Sequence, residues 1–395
     1  MKETIHSQLG FSPLRELVFP LRAIEEAKEL LSATPFRNVR VRPLIIQQNL
    51  MEESYAISTA EDSDLSLAEA EKIALTPEVE ARRVKYRDNH VFSPKEKYEK
   101  LEFENIEAVE GVIGDVSFGN LSVSLLTDLH YDLTAGLDDY AKHLGISSYH
   151  SGELRKTDTT KVGKIRRYIP PGHLKIRGLL EGLFNEFRNR KTITLPDILE
   201  FHILLYAIHP FSNGNKRVAR ILEAMLLSHY GYSAGRTISL AVYYTDHKTE
   251  SNFFILESLK SRDPTPFVNF ALRGYFYAGE RLFDIALHKH LENYREVFGR
   301  FAELHIPRTK KDKYDKALKA VYDLHGLFTH GDFVRQMKKY GCTLGVSQEV
   351  LKKLKKEGLI RHKGQTYFIG DIFEINEFAK KLSRLFLRHG ISRSD

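Results

Sequence analysis

The sequence predicts a mainly α-helical protein with one β arm, followed by a smaller α+β domain. Three observations lead there. Apolar residues recur at helical spacing through most of 103–300. A β-branched and aromatic run, KVGKIRRYI at 161–169, stops at Pro170-Pro171 and reads as a strand or hairpin arm. Beyond residue 312, three helical patterns precede two short strand patterns. A chain of 395 residues can hold two or three cores, and the divisions fall at 1–102, 103–300, a linker at 301–312, and 313–395.

Bulk properties narrow the function. No apolar run reaches the roughly 18 residues that a membrane helix requires. The first residues, MKETIHSQLGFSPLREL, lack the basic-then-apolar build of a secretory signal. The single cysteine, Cys342, forms no internal disulfide and makes no zinc or redox site by itself, so it reads as a small buried or loop residue. A cytoplasmic location without a membrane partner is the expectation. Of the net charge of +7, the segment from Arg308 onward carries 20 Lys plus Arg against 10 Asp plus Glu, so the first 307 residues are net acidic. That surplus suggests a nucleic-acid or acidic partner for the C-terminal part, or simply a solvated lysine-rich surface.

Taken in order, residues 20–32 read as a short amphipathic helix and 38–48 as a strand weakened by Pro43. Polar stretches at 65–75 and 77–85 read as helices, the second opened by Pro77. Helices follow at 121–135 and 138–144, closed by Gly136 and Gly145. At 174–190, Leu174, Leu179, Leu180, Leu183 and Phe187 form the inward face. The next helix starts at Thr194 as cap, with Pro196 and Asp197 in its first turn. Its core stripe is Ile198, Phe201, Leu204, Leu205 and Ile208, and it must stop at His209 because Pro210 disfavours helical backbone before it. Another helix runs from Asn215 to Tyr230, closed by Gly231, and two more lie near 249–261 and 266–298.

The sequence HPFSNGNKRVAR at 209–220 concentrates chemistry. A buried helix ends and leaves His209 at the rim. Gly214 permits close backbone approach, and the helix beginning at Asn215 presents unpaired N–H groups and the positive end of its dipole. Lys216, Arg217 and Arg220 add cations around that end, and Arg217 and Arg220 share a face. Phosphate oxygens suit this cradle, and a histidine beside them can take a proton from an incoming hydroxyl. The alternative for any one residue is a capping histidine or a solvated arginine. Seven specified positions in fixed spacing argue for the functional reading.

The pattern His-Pro-Phe-x-x-Gly-Asn-x-Arg-x-x-Arg resembles the core motif of the Fic family, which is similar over about 103–278. Gly152-Glu153-Leu154-Arg155, the arm 161–169 with Pro170-Pro171, the helix before the motif and Tyr243-Tyr244 after it occur in the expected order. The resemblance implies a Fic-type helical core with a β-hairpin flap. It also implies transfer of part of a nucleotide, commonly AMP from ATP with Mg2+, to a hydroxyl of a target protein. His209 would deprotonate that hydroxyl and Phe211 would anchor the loop. Gly214, Asn215, Lys216, Arg217 and Arg220 would hold the phosphates, with backbone N–H groups stabilising transition-state charge. The flap residues Lys164, Ile165, Arg166, Arg167 and Tyr168 would align the target by strand addition. Residues 1–102 would be a Fic-associated region.

Several positions depart from the family pattern. Asn213 stands where AMP-transferring members carry an acidic metal ligand, and a neutral amide oxygen binds a hard cation less strongly. Lys216 replaces a glycine and is similar to the Doc branch, which moves a phosphate. Two other readings therefore stay open: a Doc-like phosphoryl transferase, and a nucleotide sensor with little turnover. The inhibitory pattern, a Ser or Thr four residues before a Glu, is incomplete. Glu110 has Ile106 there and Glu61 has Ile57. Glu110 is thus a candidate inhibitory residue, with a solvated helix glutamate as the alternative.

In the C-terminal part, helices at 313–325, 330–339 and 347–357 precede strands at 359–362 and 365–369, the order of a winged-helix module. Ser347 would open the third helix. Lys352 and Lys356 on that helix, with Arg361 and Lys363 on the wing, are candidate DNA contacts, and protein docking or homodimer formation is the alternative.

Overall fold

The computed structural model describes residues 4–32, 41–59, 65–74, 93–112, 116–146, 148–158, 168–233 and 236–389. The chain divides into two compact units, one of residues 1–31 with 48–278, the other of 32–47 with 279–395.

In the first unit, α1 (Ile5–Leu9), α2 (Leu21–Leu31) and the greater part of α3 (Arg42–Ser58) precede α4 (Leu67–Ala74) and α5 (Pro94–Val112). The strand expected at 38–48 is absent among the described residues there: from Arg42 the backbone is helical. Pro43 falls in the first turn, where the missing N–H costs nothing and its fixed φ suits the helix. The helix expected at 77–85 lies outside the described residues. α5 begins well before residue 103, opened by Ser93, whose N–H donates to Glu96 Oε2 at 2.8 Å.

α6 (Val123–Thr134) and α7 (Asp138–Ala141) lead to α8 (Ile176–Arg188), α9 (Leu195–Ile208), α10 (Asn215–His229), α11 (Leu240–Asp246) and α12 (Lys248–Ser261). Then comes α13 (Thr265–His305), whose first part belongs to this unit. Leu179, Leu180, Leu183 and Phe187 are buried as expected. Leu174 instead lies in a short turn before α8 and is 87% exposed, one residue pair too early for the helical stripe to apply. Every residue of α9 except Asp197 is buried, so this helix is the centre of the unit, packed against α8 and α10. A helix apolar on all sides belongs in a core.

The N-terminal segment is tied to α8 and α9 by charge. Ile5 N–H donates to Glu186 at 2.8 Å, and the His6 ring lies 2.9 Å from Glu200 and 3.2 Å from Glu186. Burial opposes the charged ring, yet hydrogen bonds to the two carboxylates overcome it and hold the pKa at about 9. A raised folded-state pKa stabilises fully below the unfolded value near 6.5 and is lost as pH rises through about 9. Denaturant unfolding should therefore show a stability loss on the order of 2 kcal/mol between pH 7 and 10. His6→Ala should flatten that slope.

In the second unit, α13 continues to His305 and the turn Arg308–Lys310 feeds directly into α14 (Lys311–Asp323), so the stretch expected as a linker is helical at both ends. Then come β1 (Leu327–Thr329), α15 (His330–Lys339), α16 (Leu344–Lys356), β2 (Arg361–Lys363), β3 (Thr366–Phe368) and α17 (Ile372–Arg388). The strands form an antiparallel sheet in the order β1-β3-β2, with Leu327 opposite Phe368 and Arg361 opposite Phe368 on the other side. β1 and α17 were not read from the sequence: a three-residue strand carries little periodic signal, whereas the stripe Ile372, Ile375, Leu382, Leu385 and Phe386 of α17 was legible and was overlooked. α16 opens at Leu344 with Thr343 as its cap, and Ser347, expected to open it, is buried and donates to Thr343 O at 2.9 Å. Phe298, Ala317, Val321, Phe333, Met337, Val350, Leu354 and Ile369 share one core, with Cys342 packed at its edge. No described helix is long and apolar enough to cross a membrane.

Candidate active-site loop

The site grows out of the end of α9. Thr194 caps the helix, with its N–H and hydroxyl both donating to Asp197 at 2.6 Å. At the other end His209 adopts φ 53°, ψ 62°, left-handed backbone that is uncommon for a non-glycine residue. Its N–H still donates to Leu205 O at 3.3 Å, while its carbonyl accepts from Arg155 Nε at 2.8 Å. Arg155 N–H also donates to Pro210 O at 2.9 Å. The imidazole stands edge-on to Tyr206, with centroids 5.6 Å apart.

Below the loop, Phe211 is fully buried and stacks on His130, with centroids 3.8 Å apart and rings 3° from parallel. His130 Nδ1 accepts from Gly152 N–H at 3.0 Å, so the other nitrogen carries the proton and donates to Asn213 O at 3.1 Å. Burial pushes this ring down to about 4, which keeps it neutral and able to do both. Sequence reading missed His130. Its signal was position 130 on the stripe of Leu126 and Leu133 in α6, where an inward histidine must find polar partners.

Asn215 closes the loop on itself: its amide donates to Phe211 O at 2.8 Å and accepts from Phe211 N–H at 2.9 Å. The side chain expected at phosphates thus shapes the backbone that would meet them. Gly214 sits at φ 77°, and a Cβ there would lie 3.3 Å from His130 Nε2. Gly214→Ala should cost about 1–2 kcal/mol in denaturant unfolding from left-handed backbone alone. It should also push His130 off Asn213.

The cations of α10 turn inward. Lys216 donates to Asn252 at 3.2 Å. Arg217, only 2% exposed, forms an ion pair with Glu102 of α5 and donates to Tyr149 OH at 3.1 Å. Tyr149 also meets the Tyr98 hydroxyl. Arg220, buried, donates to Ala56 O at the end of α3 at 3.0 Å and lies 5.4 Å from the Tyr244 ring centroid. The spacing placed Arg217 and Arg220 on one face correctly, but that face looks into the unit. Glu102 and Ala56 come from elements whose pairing no local pattern encodes.

Glu110 is not the solvated glutamate given as its alternative reading. It is buried in α5, accepts from Ser54 Oγ at 2.7 Å, and lies near Glu53, which pairs with Arg236 at 3.6 Å. Burial, with Glu53 beside it, raises its carboxyl well above the usual range. Glu61 lies outside the described residues, as do Lys164, Ile165, Arg166 and Arg167. Tyr168 is described and is no exposed docking side chain. It is buried, its hydroxyl donates to Ala207 O at 2.9 Å, and Arg262 lies 5.0 Å from its ring centroid.

The loop offers little to a divalent cation on its own account. Asn213 Oδ1 accepts from Gly214 N–H at 2.9 Å, and no group of three or more His, Cys, Asp or Glu side chains is arranged for a metal among the described residues. A hard cation takes several oxygens, so these residues do not fit a protein-built magnesium site. In the second unit, Lys352 and Lys356 are exposed on α16. Arg361 instead pairs with Asp371 at 3.0 Å and bonds Gly370 O, and Lys363 lies 4.8 Å from the Phe373 ring centroid.

Residues 120–227 match the model of the Fic/DOC family. Over 78 residues the chain is 37% identical to a probable protein adenylyltransferase of Aquifex aeolicus; the match spans 20% of this chain and only 24% of that protein. A crystal structure of a Fic family protein from Desulfovibrio desulfuricans aligns with a TM-score of 0.53 at 16% identity, covering 91% of this chain and 98% of the other. The chain therefore carries a Fic/DOC domain in a mainly helical, Fic-like fold, and the loop described above lies inside it.

Proposed function

We propose that the protein is a Fic-type transferase that moves AMP from ATP onto a hydroxyl of a target protein. The observation that carries this reading is the loop 209–215. It sets His209 in left-handed backbone six residues ahead of the helix start at Asn215, with the glycine turn between them set by His130 and Asn215. In the reaction, the target oxygen bonds to the α-phosphorus, the bond to pyrophosphate breaks, and His209 takes the hydroxyl proton. The first turn of α10 faces the phosphates with its N–H groups. The Aquifex relative, named as an adenylyltransferase, supports this chemistry.

To turn to a phosphate, Arg220 would give up its hydrogen bond to Ala56 O, a neutral acceptor that water can replace. Arg217 would have to leave the carboxylate of Glu102. Purified protein incubated with α-labelled ATP should become labelled, or label proteins of a lysate. Label from γ-labelled ATP alone would select the Doc-like phosphoryl reading. One observation favours nucleotide binding with little turnover: Asn213, at the position of the acidic ligand, is neutral and bonded to its own loop. Tight ATP binding with label from neither position would select that reading.

For the second unit we propose a winged-helix module that contacts nucleic-acid phosphates through Lys352 and Lys356. The helix–strand–helix–helix–strand–strand order supports it. Affinity for duplex DNA should fall steeply with salt, and the double replacement Lys352→Ala/Lys356→Ala should lower the slope by about two phosphate contacts.

A further inference from the structure

Among the described residues, one buried cation of the first unit stands out because its hydrogen bonds go to main-chain carbonyls. Arg155 is 4% exposed. Its Nε donates to His209 O at 2.8 Å, its Nη1 to Thr157 O at 2.9 Å, and its Nη2 to Pro171 O. Its own N–H holds Pro210 O at 2.9 Å. The nearest carboxylate, Asp158, is 3.9 Å away and mostly exposed. Burying a guanidinium on neutral acceptors is costly, and an apolar side chain of that size would pack more cheaply. What the guanidinium supplies is a rigid planar fork reaching three carbonyls at once.

Those three carbonyls belong to two places. One is His209, whose left-handed backbone persists only where surrounding contacts over-determine it. The other two are Thr157 and Pro171, the ends of the stretch 157–171. The same stretch is closed again at its base, where Asp158 Oδ1 accepts from His173 N–H at 2.7 Å and lies 2.8 Å from its Nδ1. It is tied to α9 by Tyr168, whose hydroxyl reaches Ala207 O, two residues before His209.

We infer that Arg155 is a positioning residue that holds the His209 backbone and both ends of the 157–171 stretch in one frame. The inference rests on the transferase reading, in which His209 takes the proton and that stretch leads the target to it. An error of about 1 Å between base and hydroxyl can cost roughly 100-fold in rate. A lysine at 155 keeps the charge but reaches one carbonyl, so the frame comes apart while the fold survives.

The test compares wild type with Arg155→Lys in the full chain, by initial rates of label transfer from α-labelled ATP and by amide hydrogen exchange. Arg155→Lys should lose roughly 100-fold in kcat with KM for ATP within about twofold. A kcat close to wild type, or a loss carried by KM, overturns the inference. Should Arg155→Lys unfold, Arg155→Ala with added ethylguanidinium replaces it: recovery of kcat supports the inference, and recovery of the fold without kcat overturns it. Wild type that transfers no label counts against the transferase reading alone, and exchange then decides. Faster exchange at 168–173 and at 209–211 together supports a shared frame, whereas a change at one place only overturns it.

Discussion

Replacing His209 by alanine is expected to lower label transfer from α-labelled ATP by about 10²–10⁴-fold, the usual worth of a positioned general base. Binding of ATP should hold, because the helix start of α10 and the loop hydrogen bonds of Asn215 do not involve the imidazole. Stability should change little or fall slightly. Residue 209 keeps its left-handed backbone through Arg155 and Leu205, and an alanine tolerates that conformation somewhat less well than a histidine. Unchanged transfer from His209→Ala protein would remove the imidazole from the chemistry, and the functional reading with it.

The second large effect concerns stability. Arg217→Met should destabilise the protein by about 3–5 kcal/mol, since it leaves the Glu102 carboxylate buried without its cation. Removing both partners, Arg217→Met with Glu102→Leu, should recover most of that loss in denaturant unfolding, because desolvating an ion pair offsets much of its attraction. If Arg217 served phosphate alone, its replacement would weaken ATP binding and leave unfolding within about 0.5 kcal/mol of wild type. The pair of measurements separates a structural ion pair from a ligand contact at the same residue.

These two residues mark where sequence reading succeeds and where it stops. The helix end at His209 was legible because three local rules meet on it: a core stripe that ends at Ile208, a proline at 210, and a glycine before the next helix. Arg217 was legible as a residue of the motif but not in its orientation. Its partner is 115 positions earlier in α5, and no short-range pattern couples them. His130 and Arg155 were missed as parts of the site for the same reason. Each acts by a hydrogen bond to a main-chain carbonyl of the loop, and a carbonyl has no sequence identity. Tyr168, read as the end of a flap that aligns the target by strand addition, has a side chain that local pattern did not place: its hydroxyl satisfies a buried carbonyl of α9. At 38–48, β-branched content outweighed a proline that the helix could place in its first turn.

By itself the sequence determined the helical class, the two-part organisation of composition and charge, and the spacing that puts a histidine, a glycine turn and a helix start in succession. Those properties depend on periodicity and backbone preference, which act over a few residues. Only the tertiary structure decided which way the arginines of α10 face, what holds His209 in left-handed backbone, and that Asn215 serves the loop. Those depend on which distant carbonyl or carboxylate arrives beside each donor, and burial leaves a donor no choice but the partner that packing brings to it.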